Sequence, residues 1–439
     1  DPSAPAPTSR TSRRCDPYDP GAPGEFESAD IDSFTFCGGH SALADGRVLH
    51  VGGVYVNHAD LFNPWAPVGD QWNNPFAPPD MTFNRWYPTA TTLPDGRVLV
   101  CAGLQQEGGP HATIPELYDP ATNSWTLLNS AQRLQPLYPY MFVLPSGWLI
   151  DAGPAQTRLL NPTNWMWGAT IGDPTWPDPP PLPPGNHGSA VMYEPGKIMR
   201  CGGDNPGVAT TWTMDISTSA IPLTWLVAGD MNKARRNHNL VVLPDGKVLA
   251  VGGNVNGNAY HPQDNPDPQP VFEAELFDPA TGEWTLQPPS SPAWPRWYHS
   301  TAMLLPDGRV VSAGGNQSRT GQIFNPPYIT SGAPRPTITG APAYMQYGQQ
   351  YVITFNRNGG PQATKACLIR LAAVTHGFDQ EQRRVPLTVS GNVINQMTVT
   401  APLNGNIAPP GFYMLFILNE YATSKFAPCD MAWYVQVGY

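Results

Sequence analysis

The sequence predicts an all-β protein, a β-propeller of repeated blades followed by an immunoglobulin-like β-sandwich. Three observations carry that expectation. There are 42 Gly and 53 Pro among 439 residues, too many for a mainly helical chain. The 14 Trp, 17 Tyr and 15 Phe supply a packed core, which a disordered chain lacks. One phrase recurs as ADGRVLHVGG, PDGRVLVCAG, PSGWLIDAG, EPGKIMRCGG, PDGKVLAVGG and PDGRVVSAGG.

These phrases close at Gly53, Gly103, Gly153, Gly203, Gly253 and Gly315, a period of 50 residues with one interval of 62. A second phrase follows each, clearest as LFNP (61–64), LYDP (117–120), LLNP (159–162), LFDP (276–279) and IFNP (323–326). Trp72, Trp125 and Trp284 come after it. Each unit therefore reads as four short strands, the first two joined by a Pro-Asp-Gly turn whose glycine takes a positive φ. Four strands at this period make a kelch-type propeller blade. Six units are visible, spanning residues 31–328. Residues 1–30 contain no such phrase and read as an N-terminal tail or linker.

The repeat stops after Pro326, and residues 329–439 change pattern. QQYVITF, KACLIRLAAV, RRVPLTV, NQMTVTA, GFYMLFILN and MAWYVQV alternate as strands do, which is the basis for the immunoglobulin-like domain. Cys367 and Cys429 fall in those strands, and both a disulfide and buried free thiols are open to them.

Composition excludes several classes. The net charge is -10 and basic residues cluster no further than Arg10, Arg13 and Arg14, which argues against a nucleic-acid partner. No apolar run approaches the ~18 residues of a membrane span. The six cysteines include no CxxC pair, so a cysteine-built zinc site is not expected. The chain opens on polar residues, as though a leader had already been removed.

In a propeller the first strand of each blade lines the axis, so residues in equal phase converge on one ring. Sixteen residues before each closing glycine stand Cys37, Tyr87, Leu137, His187, Asn237 and His299. Tyr298 and His238 are next to two of them. A single axial histidine such as His187 or His238 ordinarily fills the channel as a hydrogen-bonded side chain. It is the combination of thiol, phenols and imidazoles that amounts to a metal-ligand inventory.

Four stretches resemble the galactose oxidase and glyoxal oxidase family of mononuclear copper radical oxidases. They are FTFCGGHSALADGRVLHVGG (34–53), RWYPTATTLPDGRVL (85–99), RWYHSTAMLLPDGRVVSAGG (296–315) and THGFDQEQRRVPLTV (375–389). The resemblance covers nearly the whole chain, and the RWYPT form is closer to glyoxal oxidases. It implies seven blades and one copper ion. Cys37 matches the cysteine that joins by a thioether to a tyrosine, here Tyr87, which is both copper ligand and stable radical. Tyr298 matches the axial tyrosine and base, and His299 and His376 match the histidine ligands. His376 would be delivered up the axis by a hairpin of the terminal domain.

The implied reaction oxidises a small alcohol or aldehyde with O2 to the aldehyde or acid and H2O2, in a secreted, monomeric enzyme. Removing two electrons at one copper requires a second one-electron acceptor, and a phenolate ring that also binds the metal can serve. One departure stands out: the slot after the GlyGly that holds a stacking tryptophan in several family members reads Leu104, Gln105, Gln106, which leaves Trp86 or a Trp from another loop to substitute. Arg85 and Arg296, ahead of the two key tyrosines, read as structural ion-pair partners. Gln382, Arg383 and Arg384 read as support for the hairpin, and Asn316 heads an Asn-Gln-Ser sequon. The competing reading is a non-catalytic kelch propeller that binds carbohydrate or protein on the same scaffold.

Overall fold

The computed structural model describes residues 10–15 and 26–31 by their backbone, and residues 35–439 except 68–69, 73–76, 155, 172–186, 219–222, 257–268, 290–292, 316–317, 319 and 382. Asn316 and Gln382 lie outside the described residues.

Each repeat folds into one antiparallel sheet whose strands pair in sequence order. Blade one comprises Gly39–Ala42, Val48–Val51 and Ala59–Phe62. Blade two comprises Thr89–Thr92, Val98–Cys101, Glu116–Asp119 and Ser124–Leu127. Blade three runs from Met141–Val143 through Leu149–Asp151 and Thr157–Asn161 to Met166–Ile171. Blade four runs from Ser189–Glu194 through Lys197–Cys201 and Thr211–Asp215 to Leu226–Val227. Blade five is Arg236–Val242, Val248–Asn254, Glu275–Asp278 and Glu283–Leu286. Blade six is Ser300–Leu304, Val310–Gly314 and Gly321–Phe324. The turns follow the expected chemistry: at Gly96 φ is 88°, and Asp95 Oδ1 accepts the Arg97 N–H at 3.1 Å.

The core lies between blades rather than within them. Side chains alternate across a strand, so each blade feeds both neighbours. Val98 and Val100 pack with Leu49 and Leu61 of blade one, whereas Leu99 and Cys101 pack with Met141 and Leu149 of blade three. Val241 and Leu249 likewise meet Ala302 and Val310 of blade six. This two-sided burial is why Val-Leu-Val-Cys carries no polar residue. Seven blades are expected from the family, but six sheets form the propeller among the described residues. On blade six, Met303 and Ile323 remain 37% and 43% exposed.

A backbone staple joins successive blades. Gly53 N–H donates to the Arg85 carbonyl at 3.0 Å, Gly203 to Arg235 at 3.0 Å, and Gly253 to Arg296 at 2.5 Å. The first glycine of each pair must come equally close: a Cβ on Gly252 would stand 2.1 Å from the Arg296 carbonyl oxygen. That approach accounts for the GlyGly of the repeat.

The N-terminal segment read as tail or linker carries a strand pair, Arg10–Cys15 with Phe26–Ile31, in a sheet separate from the blades. Its register sets Arg14 opposite Glu27, and no repeat phrase marks it.

The terminal domain is one curled sheet in the order Thr337–Gly340, Gln350–Asn356, Gln396–Thr400, Arg384–Val393, Ala363–Arg370, Gly411–Ala422, Trp433–Gly438 and Tyr344–Gln346. The long strand Arg384–Val393 belongs to both halves. Its residues up to Leu387 pair with Ala363–Arg370, and from Thr388 it pairs with Gln396–Thr400. The curl encloses Ile353, Phe355 and Met397 from one half and Leu368, Leu415 and Val435 from the other. Cys367 and Cys429 are both buried and free. Among the described residues no helix is long and apolar enough to cross a membrane.

Candidate metal centre

The site begins as a backbone feature. Cys37, Tyr87, Tyr138, His187, Asn237 and His299 all have left-handed backbones, with φ of 63°, 67°, 50°, 53°, 55° and 65°. Such values are uncommon outside glycine and cost about 1–3 kcal/mol each. Each residue stands nine positions before the turn glycine of its own blade: Gly46, Gly96, Gly147, Gly196, Gly246 and Gly308. Backbone bonds link several neighbours: Tyr87 N–H to the Cys37 carbonyl at 3.0 Å, Tyr138 to Tyr87 at 3.0 Å, and Asn237 to His187 at 2.7 Å.

The ring corrects the sequence reading at one position. Counting from the closing glycine selects Leu137, but Tyr138 takes the left-handed place. Blade three is one residue shorter between Gly147 and Gly153 than blade two is between Gly96 and Gly103.

His376 arrives from the terminal domain, on the hairpin of Val374–Thr375 and Phe378–Asp379. The hairpin packs against the first strands of blades four, five and six. Gly377 carbonyl accepts from Ser189 Oγ at 2.5 Å. The next two residues attach to blades one and two. Gln380 Oε1 accepts the N–H groups of His40 at 3.3 Å and Ala90 at 3.1 Å, and Glu381 Oε1 accepts that of Thr92 at 3.0 Å. These are inner-edge strands, whose N–H groups need partners. Arg370 pairs with Glu381 at 2.5 Å from behind. Arg383 donates to the carbonyls of Val143, Asn406 and Ile407, and Arg384 to the Pro244 carbonyl and the Glu194 carboxylate, which anchors the segment after the hairpin to the propeller.

Five donors converge at the hairpin tip. Cys37 Sγ lies 3.5 Å from His376 Nε2 and 4.0 Å from His299 Nε2. The hydroxyls of Tyr87 and Tyr298 are hydrogen-bonded to each other. The His376 ring is 4.4 Å from that of Tyr87 and 5.4 Å from that of Tyr298, centre to centre. Burial, then Tyr298 and Cys37, pushes the Tyr87 phenol well above its usual range. Burial, then His299 and His187, holds His376 well below its own and therefore neutral. The neutral His376 imidazole, with His299, two phenols and a thiol beside it, fits a borderline metal such as copper, whose charge would draw off the phenolic protons.

The empty tryptophan slot is explained. Trp86 stacks on Tyr87 at 3.9 Å and 23°, while Leu104, in that slot, pairs with Trp86 through its backbone. Arg85, Arg296 and His238 are held in structural contacts. Arg85 pairs with Glu116 at 3.0 Å, both fully buried. Among the described residues Arg296 meets no carboxylate, so the expected ion pair is not formed there, and it donates to the Gly314 carbonyl and the hydroxyls of Ser318 and Thr320. His238 turns to Cys201 Sγ at 3.4 Å, away from the donor cluster.

Buried histidines contribute to the acid stability of the propeller, His50 and His238 among them. Burial drives His50 to about 4 and His238 to about 3, against an unfolded value of 6.5. Their folded pKa values are lowered, so the fold binds fewer protons than the unfolded chain. Stability is complete above pH 6.5 and falls towards pH 4, by about 1.4 kcal/mol per histidine per pH unit. Thermal midpoints across that window should drop steadily; a flat profile would show that these imidazoles charge at no cost.

Comparison with known proteins bears on the family and the fold. Residues 197–331 match the family profile "Glyoxal oxidase N-terminus" and residues 335–426 match "Galactose oxidase-like, Early set domain". A galactose oxidase of Gibberella zeae is 30% identical over 423 residues, covering 88% of this chain and 59% of that protein. The chain thus spans 59% of the length of that relative. An aldehyde oxidase (GLOX) of Vitis pseudoreticulata is 30% identical over 441 residues, covering 88% of this chain and 79% of that protein. A solved fungal alcohol oxidase of the AA5 family, in complex with copper, superposes with a TM-score of 0.78 at 26% identity, covering 94% of this chain and 88% of that one. With its propeller, its terminal domain and these relatives, the chain belongs to the galactose oxidase and glyoxal oxidase family.

Proposed function

We propose that the protein is a copper-dependent radical oxidase that takes a small primary alcohol or aldehyde and O2 to the aldehyde or acid and H2O2. The observation that carries this reading is the convergence of Cys37, Tyr87, Tyr298, His299 and His376, which come from four distant parts of the chain. Tyr87, Tyr298, His299 and His376 would hold the metal. Copper supplies one of the two electron acceptors, and the Tyr87 ring supplies the other.

The remaining steps belong to side chains. Tyr298 Oη takes the proton of the substrate hydroxyl or hydrate. Trp86 covers a face of the Tyr87 ring and excludes water from it. A narrow cleft lined in part by Tyr138, Tyr140, His187 and Phe378 reaches Tyr87 and Tyr298 and is the route by which a small substrate would approach them. In this reading the enzyme is a secreted monomer.

The cross-link is the decisive test. S–H of Cys37 and a ring C–H of Tyr87 break, a C–S bond forms, and two protons and two electrons pass to O2 as H2O2. Copper reconstitution in air should yield one linked peptide, lighter than the separate pair by those two hydrogens. Separate peptides after exposure to copper and oxygen would overturn the thioether. The 3.5 Å between Cys37 Sγ and His376 Nε2 favours a second reading, in which Cys37 remains a thiolate ligand. Unlinked peptides from protein that retains copper would select it.

A further inference from the structure

We propose that Tyr138 is a positioning residue that templates the Cys37–Tyr87 cross-link. The inference rests on the thioether reading above.

Tyr138 touches both segments that must join. Its ring stacks on the Tyr87 ring at 4.7 Å and 24°. Its N–H donates to the Tyr87 carbonyl at 3.0 Å. Its hydroxyl donates to the carbonyl of Gly38, the residue after Cys37, at 3.1 Å. One side chain therefore fixes the acceptor ring from above and the thiol segment from the far end.

The thiol segment needs such a tie. Cys37 is followed by Gly38 and Gly39, a permissive backbone, and it adopts φ of 63°. Gly38 cannot be stiffened by substitution, because a Cβ there would stand 2.2 Å from His50 Nε2. Restraint must then come from a partner, and Tyr138 Oη supplies one. Forming a C–S bond requires sulfur to remain against one ring carbon. Small misplacements are costly in reactions driven by proximity.

The Tyr138 ring also packs 4.8 Å from that of His376, centre to centre, but its hydroxyl is turned to the Gly38 carbonyl. The residue is buried, and its left-handed backbone is held at a cost the fold bears elsewhere. Leucine or phenylalanine would fill a propeller axis as well; only tyrosine reaches Gly38.

The test follows the cross-link itself. Copper-free protein is mixed with copper in air, and linked Cys37/Tyr87 peptide is quantified over time by mass spectrometry. Tyr138→Phe keeps the stack and loses the Gly38 bond, and should slow linkage about fivefold, the worth of one hydrogen bond. Tyr138→Leu loses both and should slow it at least about tenfold. Linkage is compared at saturating copper, because the Tyr138 ring packs on both Tyr87 and His376, so that a slower rate there reads templating and not metal loading. Partial rescue by Phe relative to Leu is part of the expectation. Parental linkage rates in both variants would overturn the role of Tyr138 while leaving the thioether intact. An unlinked parent protein would overturn the thioether, and this inference with it.

Discussion

Replacing Tyr87 by Phe is expected to lower peroxide release at least about a thousandfold while leaving the blades folded. The side chain is 4% exposed, and Phe retains its volume and its stacks on Trp86 and Tyr138. Only the hydroxyl goes, and with it the bond to Tyr298, worth about 1 kcal/mol to the fold. The loss of function has a separate origin. In the proposed reading the hydroxyl oxygen binds copper and the ring gives up an electron, and Phe can do neither. Copper uptake supplies an independent check. Burial keeps the parental Tyr87 phenol protonated until a cation arrives, so binding must expel its proton. Titration in buffers of different ionisation heat should show one proton fewer released by the Phe variant, with weaker binding. Parental peroxide release from this variant would end the radical reading.

Much of this site was legible in the sequence because the repeat period is a spatial coordinate. Cys37, Tyr87, His187, Asn237 and His299 were placed on one ring by counting alone. Tyr138 escaped because the count began at the closing glycine, and the shortened hairpin of blade three shifted it. Counting nine back from the turn glycine would have found all six, since the turn lies between the first strand and the point where blade length varies.

Other features had no such coordinate. His376 belongs to no repeat, and only the family resemblance brought it to the ring. Gln380 and Glu381 were missed because their partners are backbone N–H groups of His40, Ala90 and Thr92, some 290 to 340 residues away. The strand Arg384–Val393 reads as an ordinary strand, and nothing local shows that it changes partner at Thr388. Trp86 could be named as a substitute for the missing tryptophan. Its stack depends on the backbone pairing with Leu104, which carries no side-chain signature.

The largest stability loss is expected from Arg85→Met. Arg85 and Glu116 are both fully buried. Glu116 also accepts the N–H groups of Thr82 at 2.7 Å and Phe83 at 3.3 Å, and Arg85 also donates to the carbonyls of Ala102 and Ile114. Met fills the space but strands a carboxylate and two carbonyls, at about 3–5 kcal/mol for removing one partner of a buried pair. Blade five repeats the device: Arg235 pairs with Glu275 at 2.5 Å, and Glu275 accepts from Asn232 and Lys233. Arg235→Met should therefore cost as much in denaturant unfolding. The two variants should differ at the site. Arg85 lies two residues before Tyr87, whereas Arg235 lies two before Asn237, which is not in the donor set. Arg85→Met should weaken copper binding as well as stability, and Arg235→Met stability alone. Equal copper affinity in the two would show that the pair carries the blade and not the ligand. Parental stability in both would show that neither pair is needed to hold the arginine carbonyls that staple one blade to the next.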